Sequence, residues 1–168
     1  GNVTSYTNRN KYIHNPNNSI YQSLIIQTIQ MTYNAHGLFF DVGAHAGQVS
    51  KMISRAFSKK VKIIAIEPGL YARFILRLSI FFNRLNNIDV LPFAVSDEQG
   101  FSFLNIPEKR KNSLGFGLSH MSNNHKDFTD RNFKTHYDYV PVTTIDKIIN
   151  DLELQSVDFI KIDIEGFE

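Results

Sequence analysis

The feature that most limits the fold of this chain is an alternation of short apolar runs with longer segments of helical spacing. Runs at residues 38–42 and 61–66 are rich in Phe, Val and Ile, as expected for buried strands. A glycine follows shortly after each run, and helical patterns then extend over 48–58 and 70–85. Strands and helices that alternate at this spacing favour right-handed crossovers, so the sequence predicts an α/β domain with a mainly parallel sheet.

Composition restricts the class of protein without indicating its activity. A length of 168 residues corresponds to roughly one domain. Hydrophobic residues make up 42% and charged residues 20% of the chain, which is typical of a globular protein and excludes general disorder. The net charge of +2 is too small to predict a nucleic-acid partner. The absence of cysteine excludes disulfides and thiolate zinc sites.

The sequence gives no indication of a membrane partner. Its most apolar stretch, residues 70–85, is shorter than the about 18 apolar residues that a bilayer span needs. Three arginines, Arg73, Arg77 and Arg84, also interrupt this stretch. Gly1 is not followed by a charged and then apolar leader. We therefore expect a cytoplasmic protein without a membrane partner.

The N-terminal part of the chain differs in composition from the rest. Residues 1–19 are polar and rich in Asn, which favours an extended or mobile arm. A helix is predicted to follow, with Ser19 as its N-cap and Gly37 near its end. Residues 20–168 are assigned to a single domain.

The alternation weakens in the second half of the chain. A third strand is predicted over 88–95, and the turn signal at 97–100 favours a hairpin between this strand and residues 101–106. We interpret the irregular region at about 97–139 as an insertion in the domain. The core pattern then resumes with a strand at 139–143, a helix at 144–154 and a strand at 157–162.

A glycine-containing loop connects the first strand of the alternation to its first helix. It runs from Asp41 to Gly47 and includes Gly43, Ala44 and His45. Its glycines permit an unusual backbone turn and the close approach of a ligand, and the helix N-terminus presents unpaired N–H groups. The Gly-x-x-x-Gly spacing differs from the Gly-x-Gly-x-x-Gly fingerprint of dinucleotide sites, which disfavours NAD. The alternative is an ordinary strand-to-helix turn.

Carboxylates follow two further predicted strands. Glu67 lies 20 residues after Gly47, where a carboxylate can accept hydrogen bonds from both hydroxyls of a ribose. Asp163 and Glu165 follow the last apolar run. Because ligands of open parallel sheets bind beyond the carboxyl ends of the strands, Asp41, Glu67 and Asp163 are expected to converge on one crevice. The alternative is that Glu67, Asp163 and Glu165 serve only the N-termini of helices that follow them.

Five blocks of residues resemble the FkbM-type S-adenosylmethionine-dependent methyltransferases in their order and spacing. The resemblance covers about residues 38–168, and its last block is the most specific. The blocks are Asp41-Val42-Gly43-Ala44 with Gly47, Ile66-Glu67-Pro68, Ala94-Val95-Ser96-Asp97, Thr144-Ile145-Asp146 and Lys161-Ile162-Asp163-Ile164-Glu165-Gly166.

The resemblance implies a Rossmann-like class I methyltransferase fold, which is an open, mainly parallel sheet with helices on both faces. It also implies S-adenosyl-L-methionine as the cofactor. Members of the family continue beyond the strand that precedes Asp163, so the resemblance implies that the sheet is C-terminally truncated in this chain. Where this chain has His45, the family commonly has Asn.

The resemblance further implies which residues contact the cofactor. Asp41 and the glycine loop would surround the methionine moiety, Glu67 would hold the ribose, and the Ala94 region would lie beside adenine. The full set predicted to bind the cofactor is Asp41, Gly43, Ala44, His45, Gly47, Glu67, Pro68, Ala94, Val95 and Asp163.

Methyl transfer to a hydroxyl requires that donor and acceptor are positioned and that a proton is removed. Asp163 and Glu165 are the predicted catalytic carboxylates, and His45 is a weaker candidate for the base. The predicted acceptor is a hydroxyl of a small molecule, a sugar or a natural product. The alternatives are a non-catalytic methyltransferase-like binding module and, less favoured, an NAD-dependent oxidoreductase. The oligomeric state is not predicted.

No metal site is assigned from the sequence. Asp163 and Glu165 are oxygen ligands of the kind that magnesium prefers, but two carboxylates are too few to assign a site. His120, His125 and His136 do not follow the spacing of a zinc site.

Overall fold

A computed structural model describes residues 16–33, 37–57, 60–109, 113–114, 120–122 and 135–164. In these ranges the helices are α1 (Pro16–Tyr33), α2 (Gln48–Ala56), α3 (Leu70–Asn83) and α4 (Ile145–Asp151). The strands are β1 (Gly37–Val42), β2 (Val61–Ile66), β3 (Ile88–Leu91), β4 (Ala94–Val95), β5 (Gly100–Lys109), β6 (Ser113–Leu114), β7 (His120–Ser122), β8 (Thr135–Thr143) and β9 (Phe159–Ile162).

The central sheet is parallel, with the strand order β3-β2-β1-β9. β1 pairs with β2 over its whole length, from Gly37 opposite Val61 to Val42 opposite Ile66, and with β9 on its other side. The chain therefore passes from one side of β1 to the other, which creates a switch point between β1 and β9. In sheets of this kind, ligands bind outside the carboxyl ends of the strands at such a point.

Helices cover both faces of the central sheet. On one face, Phe39 and Ile63 pack with residues of α1, α2 and α3. On the other face, Phe40, Ile64 and Ile66 pack against Ile148 of α4. Burial on both faces explains why β1 and β2 are continuous apolar runs, without the polar alternation of half-exposed strands. The predicted Rossmann-like arrangement of the parallel sheet and its helices is confirmed.

A second sheet is formed by strands from the region interpreted as an insertion. β5 pairs with β8 in the antiparallel direction, from Gly100 opposite Val142 to Pro107 opposite Thr135, and β4 pairs with β8 in parallel. The predicted hairpin between residues 88–95 and 101–106 is wrong, because β3 pairs with β2 instead. Pro92, which cannot donate a backbone hydrogen bond, separates β3 from β4 and divides the predicted third strand between the two sheets.

Several element boundaries differ from the sequence predictions. α1 begins at Pro16 and not after Ser19, since proline is well suited to the first turn of a helix. It ends at Tyr33, and Gly37 is instead the first residue of β1. The rest of the predicted N-terminal arm, residues 1–15, lies outside the described residues. α2 and α3 begin where they were predicted, whereas α4 and β9 are shorter than their predicted ranges.

α3 has one face in the core and another in solvent. Leu76 is 1% exposed and packs among the residues of α2 and β2, whereas Leu70 on the same helix is 68% exposed. Within the part of the chain that the structure describes, no helix is long and apolar enough to cross a membrane.

Leu76→Ala is expected to lower the free energy of unfolding by about 2–5 kcal/mol, because it removes buried methyl groups and leaves a cavity. Leu70→Ala on the same helix is the matched control and should change this free energy by less than about 0.5 kcal/mol. Urea denaturation of both variants measures the difference. Equal losses would contradict the packing of α3.

Candidate functional site

The loop between β1 and α2 is attached to the end of β2 by backbone hydrogen bonds. The amides of Gly43 and Ala44 both donate to the carbonyl of Ile66, at 3.0 and 3.1 Å. Gly47 then forms the N-cap of α2, and its amide donates to the carbonyl of Ala44 at 2.8 Å. The glycine loop, residues 43–47, therefore lies at the carboxyl ends of β1 and β2.

Backbone conformation explains the two glycines of this loop. Gly43 and Gly47 have φ angles of 69° and 76°, in the left-handed region that side chains disfavour. A Cβ atom on Gly43 would lie 2.1 Å from the carbonyl oxygen of Asp163, and one on Gly47 would lie 2.1 Å from Cδ1 of Leu76. The loop thus leaves no room for a side chain at either position.

Asp41 lies beneath the glycine loop and is fully buried. Its Oδ2 accepts hydrogen bonds from Ser50 in the first turn of α2, from the backbone amide at 3.1 Å and from the hydroxyl at 2.6 Å. Its Oδ1 forms an ion pair with Nζ of Lys161 at 3.1 Å. The resemblance implies that Asp41 contacts the cofactor, but its carboxylate has no exposed surface and contacts Ser50 and Lys161 instead.

Lys161 is a buried cation at the centre of this arrangement, with 6% of its surface exposed. Its ammonium donates to the carbonyls of Val42 and Gly43, at 3.3 and 3.1 Å. It also lies 3.5 Å from Oδ2 of Asp163. No role was predicted for Lys161 from the sequence. Its position inside an apolar strand could have indicated a buried ion pair, because a buried lysine needs a charged partner.

Glu67 lies beside the glycine loop, as predicted, and is 8% exposed. Its Oε2 accepts a hydrogen bond from the amide of His45, and its Oε1 accepts one from the amide of Gly69, both at 2.8 Å. Burial raises the pKa of Glu67 above its ordinary value, and these hydrogen bonds only partly offset the effect. Each carboxylate oxygen has a second lone pair that can accept a donor from a ligand.

The remaining predicted site residues are placed differently. The side chain of Asp163 is 64% exposed, and its amide donates to the carbonyl of Val42 at 3.1 Å. Pro68 accepts a hydrogen bond from Arg73 through its carbonyl. Val95 packs against the core at the ends of β1 and β2, whereas Ala94 is buried in the core of the second sheet. Glu165 lies outside the described residues.

No metal centre is visible in the described part of the chain, where three or more His, Asp or Glu side chains nowhere form a group that could hold an ion. His125 and Glu165 lie outside that part.

The fold and the loop geometry define a class of protein. A parallel sheet with a switch point, a glycine loop above its central strand and a carboxylate at the end of the neighbouring strand are typical of Rossmann-like domains that bind nucleoside-containing ligands. A family model of the methyltransferase FkbM domain matches residues 41–168. The chain belongs to this family.

Solved structures of methyltransferases are similar to this chain over part of their length. The methyltransferase FkbM of Methylobacillus flagellatus KT has 18% sequence identity and a TM-score of 0.49, and the match covers 79% of this chain and 27% of that one. A SAM-dependent methyltransferase from Aquifex aeolicus also has 18% identity, with a TM-score of 0.36 and coverages of 54% and 46%. The chain thus spans less than half of either structure. Among curated proteins, no match was found.

The raised pKa of Glu67 predicts how stability depends on pH. Because the folded protein holds this proton more tightly than the unfolded chain, Glu67 contributes most to stability below its ordinary pKa of 4.5. This contribution is lost as the pH rises from 4.5 through the raised pKa of the folded state. The free energy of unfolding of the wild type, measured by urea denaturation relative to Glu67→Gln, should therefore decrease over that interval. An increase would mean that the two hydrogen bonds outweigh burial.

Proposed function

We propose that the glycine loop and Glu67 bind S-adenosyl-L-methionine, and that the protein methylates a hydroxyl of a small molecule, a sugar or a natural product. The observation that carries this proposal is the hydrogen bond between the amide of His45 and Oε2 of Glu67, at 2.8 Å. It joins the two predicted parts of the cofactor site at the carboxyl ends of neighbouring strands.

The residues present fit such a cofactor. Gly43 and Gly47 have positive φ angles that give the loop its turn, and the backbone of this loop, with Ala44 and His45, is the proposed contact surface for the methionine moiety. Glu67 keeps lone pairs for the two hydroxyls of a ribose, and Pro68 follows it directly. Ala94 and Val95 remain the proposed neighbours of adenine.

The bound cofactor would supply a methyl group on a positively charged sulfur. The acceptor oxygen would take this methyl group by in-line displacement, with S-adenosylhomocysteine as the leaving group, and a base would take the hydroxyl proton. Asp163 is the proposed base among the described residues, because its carboxylate is exposed at the carboxyl end of β9. Glu165 is the second proposed catalytic carboxylate.

Calorimetry with S-adenosylhomocysteine tests the cofactor site on the full-length protein. Glu67→Ala removes the proposed ribose acceptor. The dissociation constant of S-adenosylhomocysteine should therefore rise at least about fivefold, which corresponds to roughly 1 kcal/mol. Asp89→Ala is the matched control, since Asp89 is an exposed carboxylate on β3 that pairs with Lys62. This control should bind like the wild type.

Three outcomes would contradict parts of the proposal. If S-adenosylhomocysteine does not bind at millimolar concentration, the proposed cofactor is wrong. Tighter binding of NADH than of S-adenosylhomocysteine would favour the oxidoreductase alternative. Binding without methylation of any compound in a library of hydroxylated acceptors would favour a non-catalytic module.

A further inference from the structure

We infer that Lys161 is a positioning residue that fixes the shape of the glycine loop from below, in addition to balancing the charge of Asp41. The ammonium does this through four oxygen atoms at the carboxyl ends of β1 and β9. The consequence for ligand binding rests on the proposed function, whereas the consequence for the loop itself does not.

The register of the central sheet places Lys161 beneath the loop. Lys161 lies directly opposite Asp41 in the parallel pairing of β1 with β9. Both side chains are almost entirely buried, at 5% and 0% exposure. The ammonium is therefore held at the level of the sheet where β1 ends and the loop begins.

One role of Lys161 is to compensate a buried charge. Oδ2 of Asp41 has the two donors of Ser50, but among the described residues Oδ1 has no hydrogen-bond donor and is held by the ion pair with Lys161. Removal of one partner of a buried ion pair is strongly destabilising, because the other charge is then uncompensated. This role alone would make Lys161 a stability residue.

The other contacts of the ammonium are not needed for charge balance. Nζ donates to the carbonyls of Val42 and Gly43, the last residue of β1 and the first residue of the loop. The φ angle of Gly43 is 69°, and the amides of Gly43 and Ala44 are already committed to Ile66. The carbonyls of Val42 and Gly43 belong to the same two peptide units as these amides. Lys161 therefore holds the carbonyl side of both units, sharing the carbonyl of Val42 with the amide of Asp163, while β2 holds their amide side.

Asp163 links the same ammonium to the exposed part of the site. Its Oδ2 lies 3.5 Å from Nζ of Lys161, although the side chain is 64% exposed. Its backbone carbonyl is the atom that excludes a side chain from Gly43. Lys161 thus connects the loop proposed for the methionine moiety with the proposed base, while Glu67, which follows β2, has no part in these contacts.

The test separates charge balance from positioning by means of two variants. Lys161→Met should be clearly destabilised in thermal unfolding, because it leaves Asp41 buried without its cation. In the double variant Asp41→Asn/Lys161→Met neither charge of this buried pair remains, and an Asn oxygen is kept for the donors of Ser50. We expect the double variant to recover most of the lost thermal stability.

Positioning is then measured on the double variant. Its affinity for S-adenosylhomocysteine should be at least about tenfold weaker than that of the wild type, because the loop is no longer held. Its affinity for 5′-methylthioadenosine, which lacks the amino-acid end, should change by less than about twofold. Glu67→Ala is the comparison variant and should weaken both ligands, because both contain the ribose that Glu67 is proposed to hold.

Hydrogen exchange of the ligand-free protein gives a second, independent measurement. The loop amides of Gly43, Ala44 and Gly47 should exchange at least about tenfold faster in the double variant, while amides within β2 keep their rates. Unchanged loop exchange, wild-type affinity for S-adenosylhomocysteine or an equal loss of both ligands would each overturn the inference. If the wild type binds neither ligand, the proposed function fails, and the exchange rates alone decide whether Lys161 positions the loop.

Discussion

The buried carboxylate of Asp41 is the constraint on which the described site depends. A charge without access to water must be compensated within the protein, and Asp41 draws its partners from α2 and β9. One of these, Lys161, lies 120 residues further along the chain. These contacts therefore fix β1, α2 and β9 relative to one another, and the glycine loop is the segment that connects β1 to α2.

Local patterns predicted β1 and β2 well, because both strands are largely buried on both faces and a helix follows each of them. The starts of α2 and α3 and the whole of β2 fall where the periodicity places them. The second sheet could not be predicted in this way. Its main pairing joins Gly100 to Val142, which are far apart in sequence, and no local signal specifies such a partner. Pro92 could have predicted the break in the third strand, because proline has no backbone N–H to donate to a sheet.

For the candidate site, the sequence predicted where residues lie along the strands better than it predicted which side chains they contact. Glu67 and the two glycines lie where the motifs place them, since a motif specifies where a strand ends. Burial, however, depends on packing between distant segments, so the inward position of Asp41 and the contacts of Lys161 were not foreseen. The backbone conformation explains why residue 45 can be His. His45 has a φ angle of 49°, a conformation in which His and Asn are both enriched, so His can replace the family's Asn there.

The charges at the carboxyl edge favour a ligand with cationic groups over a dinucleotide. The carboxylates of Glu67 and Asp163 lie at this edge, and the buried ammonium of Lys161 is shared between Asp41 and Asp163, so that one ammonium faces two carboxylates. Arg73 is engaged with the backbone carbonyls of Glu67 and Pro68. A pyrophosphate would bring negative charge to these acids, whereas a sulfonium and an amino group would bring positive charge. Because glycine loops and ribose-binding carboxylates occur in both ligand classes, Asp163 is the residue whose charge separates them.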